Sequence, residues 1–282
     1  MTKSFNKVPS EAAVQFSPKI SVVIPSYNQA DFIERTLLSV LHQGYPNLEL
    51  IVVDGGSTDG TLSILERYRS SITHIISERD DGQSDALNKG FSLATGDIFG
   101  WLNSDDLYLP ESFSRVVRAF DGDPARLVVY GDWLYVDIND RVIRRETALP
   151  FSLGQLKYEG FHANAQSMFW RKEVHQEFGQ FNTRLHRTMD YEMILRFGHL
   201  AGEGAFHLIP EPLGCFRCHA GQKTQGFDAT VIAEQRRIAE EFGYSDKYRW
   251  PGKVKRLCYR CRRFYWYLRR GVLGRILVGR LR

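Results

Sequence analysis

Asn103-Ser104-Asp105-Asp106 sets two adjacent carboxylates and an amide within four residues. Neighbouring carboxylates repel unless a cation or water separates them, so this cluster suits a hard divalent ion that bridges to an anionic phosphate. The same residues suit a polar turn capping a helix near Pro110, since Asp and Asn favour turns and N-caps. Asp54-Gly55-Gly56-Ser57-Thr58-Asp59 offers an acid able to accept from a base N–H or a ribose hydroxyl, with glycines that admit close backbone approach. A tight strand-to-helix turn capped by Ser57, Thr58 or Asp59 uses the same residues without a ligand. Asp190 reads on its own as the N-cap of a helix over residues 191–200. His162, Asn164 and Gln166 precede the apolar Met168-Phe169-Trp170. They read equally as a binding surface at a strand end or as a polar loop. His42 and His74 read as surface or satisfied polar residues.

The elements that must position these groups follow from periodicity. β-Branched runs over residues 19–25, 48–53, 72–77 and 98–102 predict strands. Helical stripes over 31–43, 61–68 and 83–94 fall between them. Strands alternating with helices predict an α/β fold with a mostly parallel central sheet flanked by helices. Ligands of such sheets bind beyond the carboxyl ends of the strands, where Tyr27, Asp54 and Asn103 to Asp106 gather. Residues 128–142 read as strand and hairpin, 172–178 as helix and 205–208 as a further strand.

Several motifs in fixed order resemble family 2 glycosyltransferases, which have the GT-A (Rossmann-like) fold. They are Ser21-Val22-Val23-Ile24-Pro25-Ser26-Tyr27-Asn28, Val52-Val53-Asp54-Gly55-Gly56-Ser57-Thr58-Asp59-Gly60 and Ser77-Glu78-Arg79-Asp80-Asp81-Gly82-Gln83. Ala86-Leu87-Asn88-Lys89-Gly90, Thr95-Gly96-Asp97, Trp101-Leu102-Asn103-Ser104-Asp105-Asp106 and Asp190-Tyr191-Glu192 follow. The resemblance covers roughly residues 19–220. It implies a metal-dependent transferase moving a sugar, with inversion, from a nucleotide-sugar (a UDP-sugar foremost) to a hydroxyl of a glycan or lipid-linked acceptor in cell-surface polysaccharide biosynthesis. Pro25, Tyr27, Asp54, Asp80, Asn103 and Asp105 would hold the nucleotide. Asp105, Asp106 and His219 would serve a Mn²⁺ or Mg²⁺ ion, and Asp190 would be the general base. His162, Gln166, Trp170 and Glu192 would meet the acceptor. Asn103 departs from the usual acid of the D-x-D-type motif, which shifts the cation toward Asp105. Arg79 and Asp81 stand where relatives often carry Pro and a basic residue. The implied division is a leader over 1–18, a catalytic domain over 19–225 (nucleotide half 19–106, acceptor half 107–225) and a helical basic tail over 226–282. A sugar nucleotidyltransferase is the rival enzyme class, but no Gly-rich basic loop follows the first strand. A non-catalytic nucleotide-binding protein on the same fold is the other alternative.

The net charge of +4 over 282 residues conceals an asymmetry. Residues 247–282 hold 13 Lys or Arg and no acid, leaving 24 basic against 33 acidic residues in 1–246. Val254, Leu257, Cys258, Cys261, Phe264, Tyr265 and Leu268 recur there at helical spacing between the basic residues. Such a tail suits an anionic membrane surface first, a helix packed back on the domain second and nucleic acid third. The polar N-terminus lacks the apolar run of a signal peptide, and no stretch reaches the ~20 apolar residues of a membrane span. The expectation is a cytoplasmic protein, peripheral at the inner membrane face through its tail. The pairs Cys215-x-x-Cys218 and Cys258-x-x-Cys261 invite zinc, but 39 residues lie between them, against ~15–20 in compact ribbons.

Overall fold

The structure, a computed structural model, describes residues 17–160, 162–223 and 229–272. Most of the expected leader (1–16) and the end of the basic tail (273–282) lie outside the described residues. The first half alternates β1 (Ile20–Ser26), α1 (Ile33–Leu41), β2 (Leu48–Asp54), α2 (Thr61–Arg67), β3 (His74–Ser77), α3 (Gln83–Leu93) and β4 (Ile98–Trp101). Every residue of β1 is buried, so its alternate side chains feed two separate cores. Val22 and Ile24 join Leu50 and Val52 against Ile33, Leu37 and Val40 of α1. Val23, Ile51 and Val53 face Leu87 and Phe91 of α3. The four strands are parallel, and Ser26 pairs with Asp54, which pairs with Ser77. Their carboxyl ends therefore emerge together on one edge.

The second half contributes β5 (Leu107–Tyr108), α4 (Ser112–Asp121), β6 (Val128–Val136), β7 (Val142–Glu146), α5 (Leu153–Tyr158), β8 (Met168–Arg171), α6 (Lys172–Phe178) and α7 (Met189–Ala201). It continues with β9 (Phe206–Arg217), α8 (Ala229–Glu241) and α9 (Trp250–Arg269). One sheet results, in the order β3-β2-β1-β4-β8-β6-β9-β5, with β7 beside β6. It is parallel across the first four strands and mixed beyond them, since β8 runs antiparallel to both β4 and β6 while β6 and β9 are parallel. The expected strand over 205–208 runs on to Arg217. Pro210 and Pro212 lack the amide proton for a regular ladder, and the register of β6 against β9 shifts at Gly131–Trp133. Past this bulge β9 also pairs with β5 through Cys215 and Leu107. That carries Arg217 to the residues that follow β4.

The packing of α3 on β1 leaves no room for a side chain at Gly90. A Cβ there would collide with Cγ1 of Val23 and sit 3.3 Å from Cγ2 of Val53. In an open helix Gly→Ala gains about 1 kcal/mol; here the collision with a buried strand outweighs that gain. Gly90→Ala is expected to destabilise the protein by about 1–3 kcal/mol, read as a lowered midpoint in denaturant or thermal unfolding.

Candidate functional site

The loop after β1 and the loop after β2 are sewn into one body. The backbone N–H groups of Asn28, Gln29 and Ala30 donate to Ser57 Oγ (2.7 Å), Thr61 Oγ1 (2.8 Å) and Asp59 Oδ2 (3.0 Å). Thr58 N–H returns a bond to Asn28 Oδ1 at 2.9 Å. Asp54 lies within this body, with no exposed surface. Its carboxylate accepts from Gly56 N (3.1 Å), Ser57 N (2.9 Å), Ser57 Oγ and Ser77 Oγ (3.0 Å). Within the protein its bonds go to its own loop and to β3. Asp80 stands over the neighbouring glycine, and a Cβ on Gly55 would lie 2.7 Å from Asp80 Oδ2. Burial raises the Asp80 carboxyl above its usual range, the Gly82 N–H partly offsets this, and Asp85 adds to it.

At the end of β4 the four-residue cluster divides its work. Asp106 is buried and accepts from Arg217 N at 2.9 Å and from Asn103 Nδ2 at 3.1 Å. Burial, and then Asp105, hold its carboxyl well above the usual range. Both its oxygens thus meet protein donors. Asn103 Oδ1 accepts from Gln83 Nε2 (2.7 Å) and Trp101 Nε1 (2.8 Å). The Thr36 hydroxyl lies 2.9 and 2.8 Å from the carbonyl oxygens of Ser104 and Asp106, and Arg217 Nε donates to the carbonyl of Asp105 at 2.6 Å. The turn held in this way directs the Asp105 side chain outward, where its Oδ2 lies 2.9 Å from His219 Nε2. Phe32 backs the imidazole, with ring centroids 4.4 Å apart.

Asp105 opens on a cleft of about 770 Å³, within the size range of ligand pockets. Pro25, Tyr27, Asp80 and Asn103 line it, together with Arg79 and Lys223. Gln83, Gln222 and Lys223 were not singled out by sequence. Their place in Asp81-Gly82-Gln83 and in the run after His219 was the available signal. A carboxylate–imidazole pair in a cleft that also carries Arg79 and Lys223 suits an anionic ligand held partly through a cation. Among the described residues no group of three or more His, Cys, Asp or Glu gathers as a metal site, and the two cysteine pairs are not brought together in one.

Asp190 does not line the cleft. It lies half-buried in the first turn of α7, and its Oδ1 accepts from Tyr191 N at 2.7 Å. Burial raises its carboxyl above the usual range, its backbone bonds lower it, and Glu234 raises it further. The loop before it is held from two sides. Ser84, next to the cleft residue Gln83, lies 2.8 Å from the sulfur of Met189. Glu234 of α8 accepts from the backbone N–H of His186, Arg187 and Thr188 and from the Thr188 hydroxyl.

The four residues expected to meet an acceptor are not brought together. Gln166 and Trp170 have no exposed surface; Gln166 packs under Gly214 and Trp170 sits in the core beside Phe91 and Phe197. Glu192 is buried in a two-bond ion pair with Arg196, both at 2.8 Å. His162 lies 3.4 Å from Arg263 of α9, at a small recess lined by Tyr130 and Leu156. Position in a polar stretch did not reveal which side chains turn inward.

The amide at position 103 is matched to the buried Asp106. In Asn103→Asp a second carboxylate would replace the donor 3.1 Å from Asp106 Oδ2. We expect about 2 kcal/mol of destabilisation at neutral pH. The repelling pair titrates above the usual carboxylate range, so the deficit shrinks as pH falls and one acid takes up a proton. Thermal unfolding at pH 8 and pH 5 measures both effects.

The sequence profile described as Glycosyl transferase family 2 matches residues 21–186. An uncharacterised glycosyltransferase of Rickettsia prowazekii is 28% identical over 74% of this chain and 67% of its own length. A PGL/p-HBAD biosynthesis glycosyltransferase of Mycobacterium bovis is 33% identical over 64% of this chain and 70% of its own. Against other rickettsial relatives the match takes in only 31–59% of their lengths. Two solved structures share the fold. TarS of S. aureus (residues 1–349, in complex with UDP-GlcNAc) has a TM-score of 0.59 at 18% identity, covering 86% of this chain and 79% of that one. The mannosyltransferase PcManGT of Pyrobaculum calidifontis, in complex with GDP-Man and Mn²⁺, has a TM-score of 0.57 at 19% identity, covering 88% and 74%. With the profile spanning more than half of the chain and the cleft at the carboxyl ends of its parallel strands, this protein belongs to glycosyl transferase family 2.

Proposed function

We propose that this glycosyltransferase moves a sugar from a UDP-sugar to a hydroxyl of a glycan or lipid-linked acceptor, with inversion, in cell-surface polysaccharide synthesis. The observation that carries the reading is the Asp105–His219 pair, 2.9 Å apart beside the large cleft. Carboxylate oxygen and imidazole nitrogen suit Mn²⁺, and Mg²⁺ also accepts one or two carboxylates when substrate phosphates and water complete its shell. Asp105 and His219 would hold the ion, which when bound supplies neutralisation of charge on the departing diphosphate. Arg79 and Lys223 add fixed positive charge in the same cleft. Tyr27, 59% exposed, offers a ring face to a base, and Asp80 offers an acceptor to a base or ribose donor. One neighbour is solved with UDP-GlcNAc and another with GDP-Man, so both nucleotides enter the test; the UDP-sugar and the glycan or lipid-linked acceptor rest on the family resemblance of the motifs.

Asp190 is the general base in this scheme. It follows a loop whose Leu185 carbonyl accepts from Ser84, the neighbour of the cleft residue Gln83, at 3.3 Å, and burial raises its proton affinity. A raised carboxyl removes an acceptor proton more readily once ionised. The single displacement then forms the bond from acceptor oxygen to anomeric carbon as the bond to the diphosphate breaks, and the proton passes to Asp190.

Thermal stabilisation and sugar release should be screened with UDP-, GDP- and dTDP-sugars, each with Mn²⁺ or EDTA. The expected result is a UDP-sugar response that needs the ion and is lost in Asp105→Asn; silence toward every nucleotide with metal overturns the proposal. Asp190→Asn is expected to keep nucleotide binding while kcat falls ~10²–10⁴-fold. In the unaltered enzyme kcat/KM should decline on the acid side with a midpoint above the ordinary aspartate range, because only ionised Asp190 accepts the proton. Unchanged turnover in Asp190→Asn removes it from this role.

A further inference from the structure

Helix α9 is fastened to the body by its polar face and turns its apolar face outward. The inward side is held by charge. Arg263 pairs with Glu159 at 3.0 Å, Lys255 with Asp246 at 2.8 Å, and Arg270, which caps the helix, grips the buried Asp132 at 2.9 and 3.1 Å. Tyr259 stacks near Tyr158, and Trp266 Nε1 reaches the carbonyl of Ala148. On the opposite side Trp250, Val254, Leu257, Phe264, Tyr265 and Leu268 are between 45% and 76% exposed. At 3.6 residues per turn they form one stripe with the exposed Cys258 and Cys261. Lys253, Arg256 and Arg260 border the stripe on one side, Arg262 and Arg269 on the other, and the helix contains no acid. Among the described residues the packing of α9 on the body therefore leaves the stripe seen in the sequence exposed.

We infer that this outward face of α9 is a docking surface for an anionic lipid bilayer. An apolar strip with basic margins matches the layering of a membrane interface, where acyl chains lie beneath anionic headgroups. No helix among the described residues is long and apolar enough to cross a membrane, so the helix lies along the surface. A second copy of this chain fits less well, because a symmetric pairing through the stripe brings the basic margins of two acid-free helices together. Nucleic acid would draw on the basic residues and leave the apolar centre without a use. Since α9 is pinned by ion pairs at several points, lipid binding would fix the orientation of the whole body.

The surface does not depend on the transferase reading, and its test is separate from nucleotide response. The full chain is floated with phosphatidylcholine vesicles with and without phosphatidylglycerol, at low and high salt. Binding is expected only with the anionic lipid, and should weaken at high salt. It should drop at least ~10-fold in Leu257→Glu/Phe264→Glu/Leu268→Glu, in line with the cost of moving a charge into an apolar environment, and again in Lys253→Ser/Arg256→Ser/Arg269→Ser. The substituted side chains are solvent-exposed, and retained thermal unfolding confirms that the fold survives. As an independent reading, a polarity-sensitive probe on exposed Cys258 or Cys261 of the otherwise unaltered helix should shift to an apolar signal only with anionic vesicles. Absence of vesicle binding, equal binding by the variants, or no probe shift overturns the inference. So does self-association or nucleic-acid binding that uses these residues in place of lipid.

Discussion

A carboxylate taken out of water must be met by donors, and the shape of the cleft follows from how this chain meets that requirement. Asp54, with no exposed surface, collects two amide and two hydroxyl donors and so closes the loop after β2 onto β3. Asp106 draws Asn103 and the backbone of Arg217 together, joining the turn after β4 to the end of β9. Glu234 does the same for the loop before α7. Each acid is expensive to bury alone, and the donors it gathers come from segments far apart in sequence. Cleft walls built on loops acquire their rigidity through these contacts.

This division explains why adjacent acids behave differently. Asp106 is bonded to Asn103 and Arg217, and Asp105 projects beside His219 because the turn is pinned from below by Asp106 and from the side by Thr36 and Arg217. The neutral amide at Asn103 belongs to the same arrangement. It donates to Asp106 while its oxygen accepts from Gln83 and Trp101, a pattern one carboxylate cannot reproduce because it lacks the N–H. The departure from an acid at this position therefore has a local cause, independent of any effect on a bound cation.

The first half of the fold was legible because its strands are buried on both faces and its helices are strongly periodic, so that short β-branched runs and apolar stripes carry the assignment. The second half was not read as clearly. The strand expected over residues 205–208 runs on to Arg217, because the bulge against β6 accommodates Pro210 and Pro212. Site residues divided along the same line. Those at strand ends, such as Tyr27, Asp80 and Asp105, reached the cleft. Gln166, Trp170 and Glu192 did not, because local polarity is silent on burial and on a partner such as Arg196. Asp54 and Asp106 show the converse: an acid in a recognisable motif can serve the loop that displays the motif.

The same physics runs in reverse at α9. A helix in a water-soluble body ordinarily buries its apolar stripe and leaves its charges in solvent. Here Glu159, Asp132 and Asp246 recruit Arg263, Arg270 and Lys255 to the inner face, which fixes the rotation of the helix and turns the stripe outward. Glu159 and Asp132 have nearly buried side chains, 4% and 0% exposed. Rotating the helix to hide its apolar residues would strip Glu159 of Arg263 and Arg260, leave Asp132 with Arg145 alone, and bury the stripe against charge. The exposed face is thus a consequence of where the acids of the body lie.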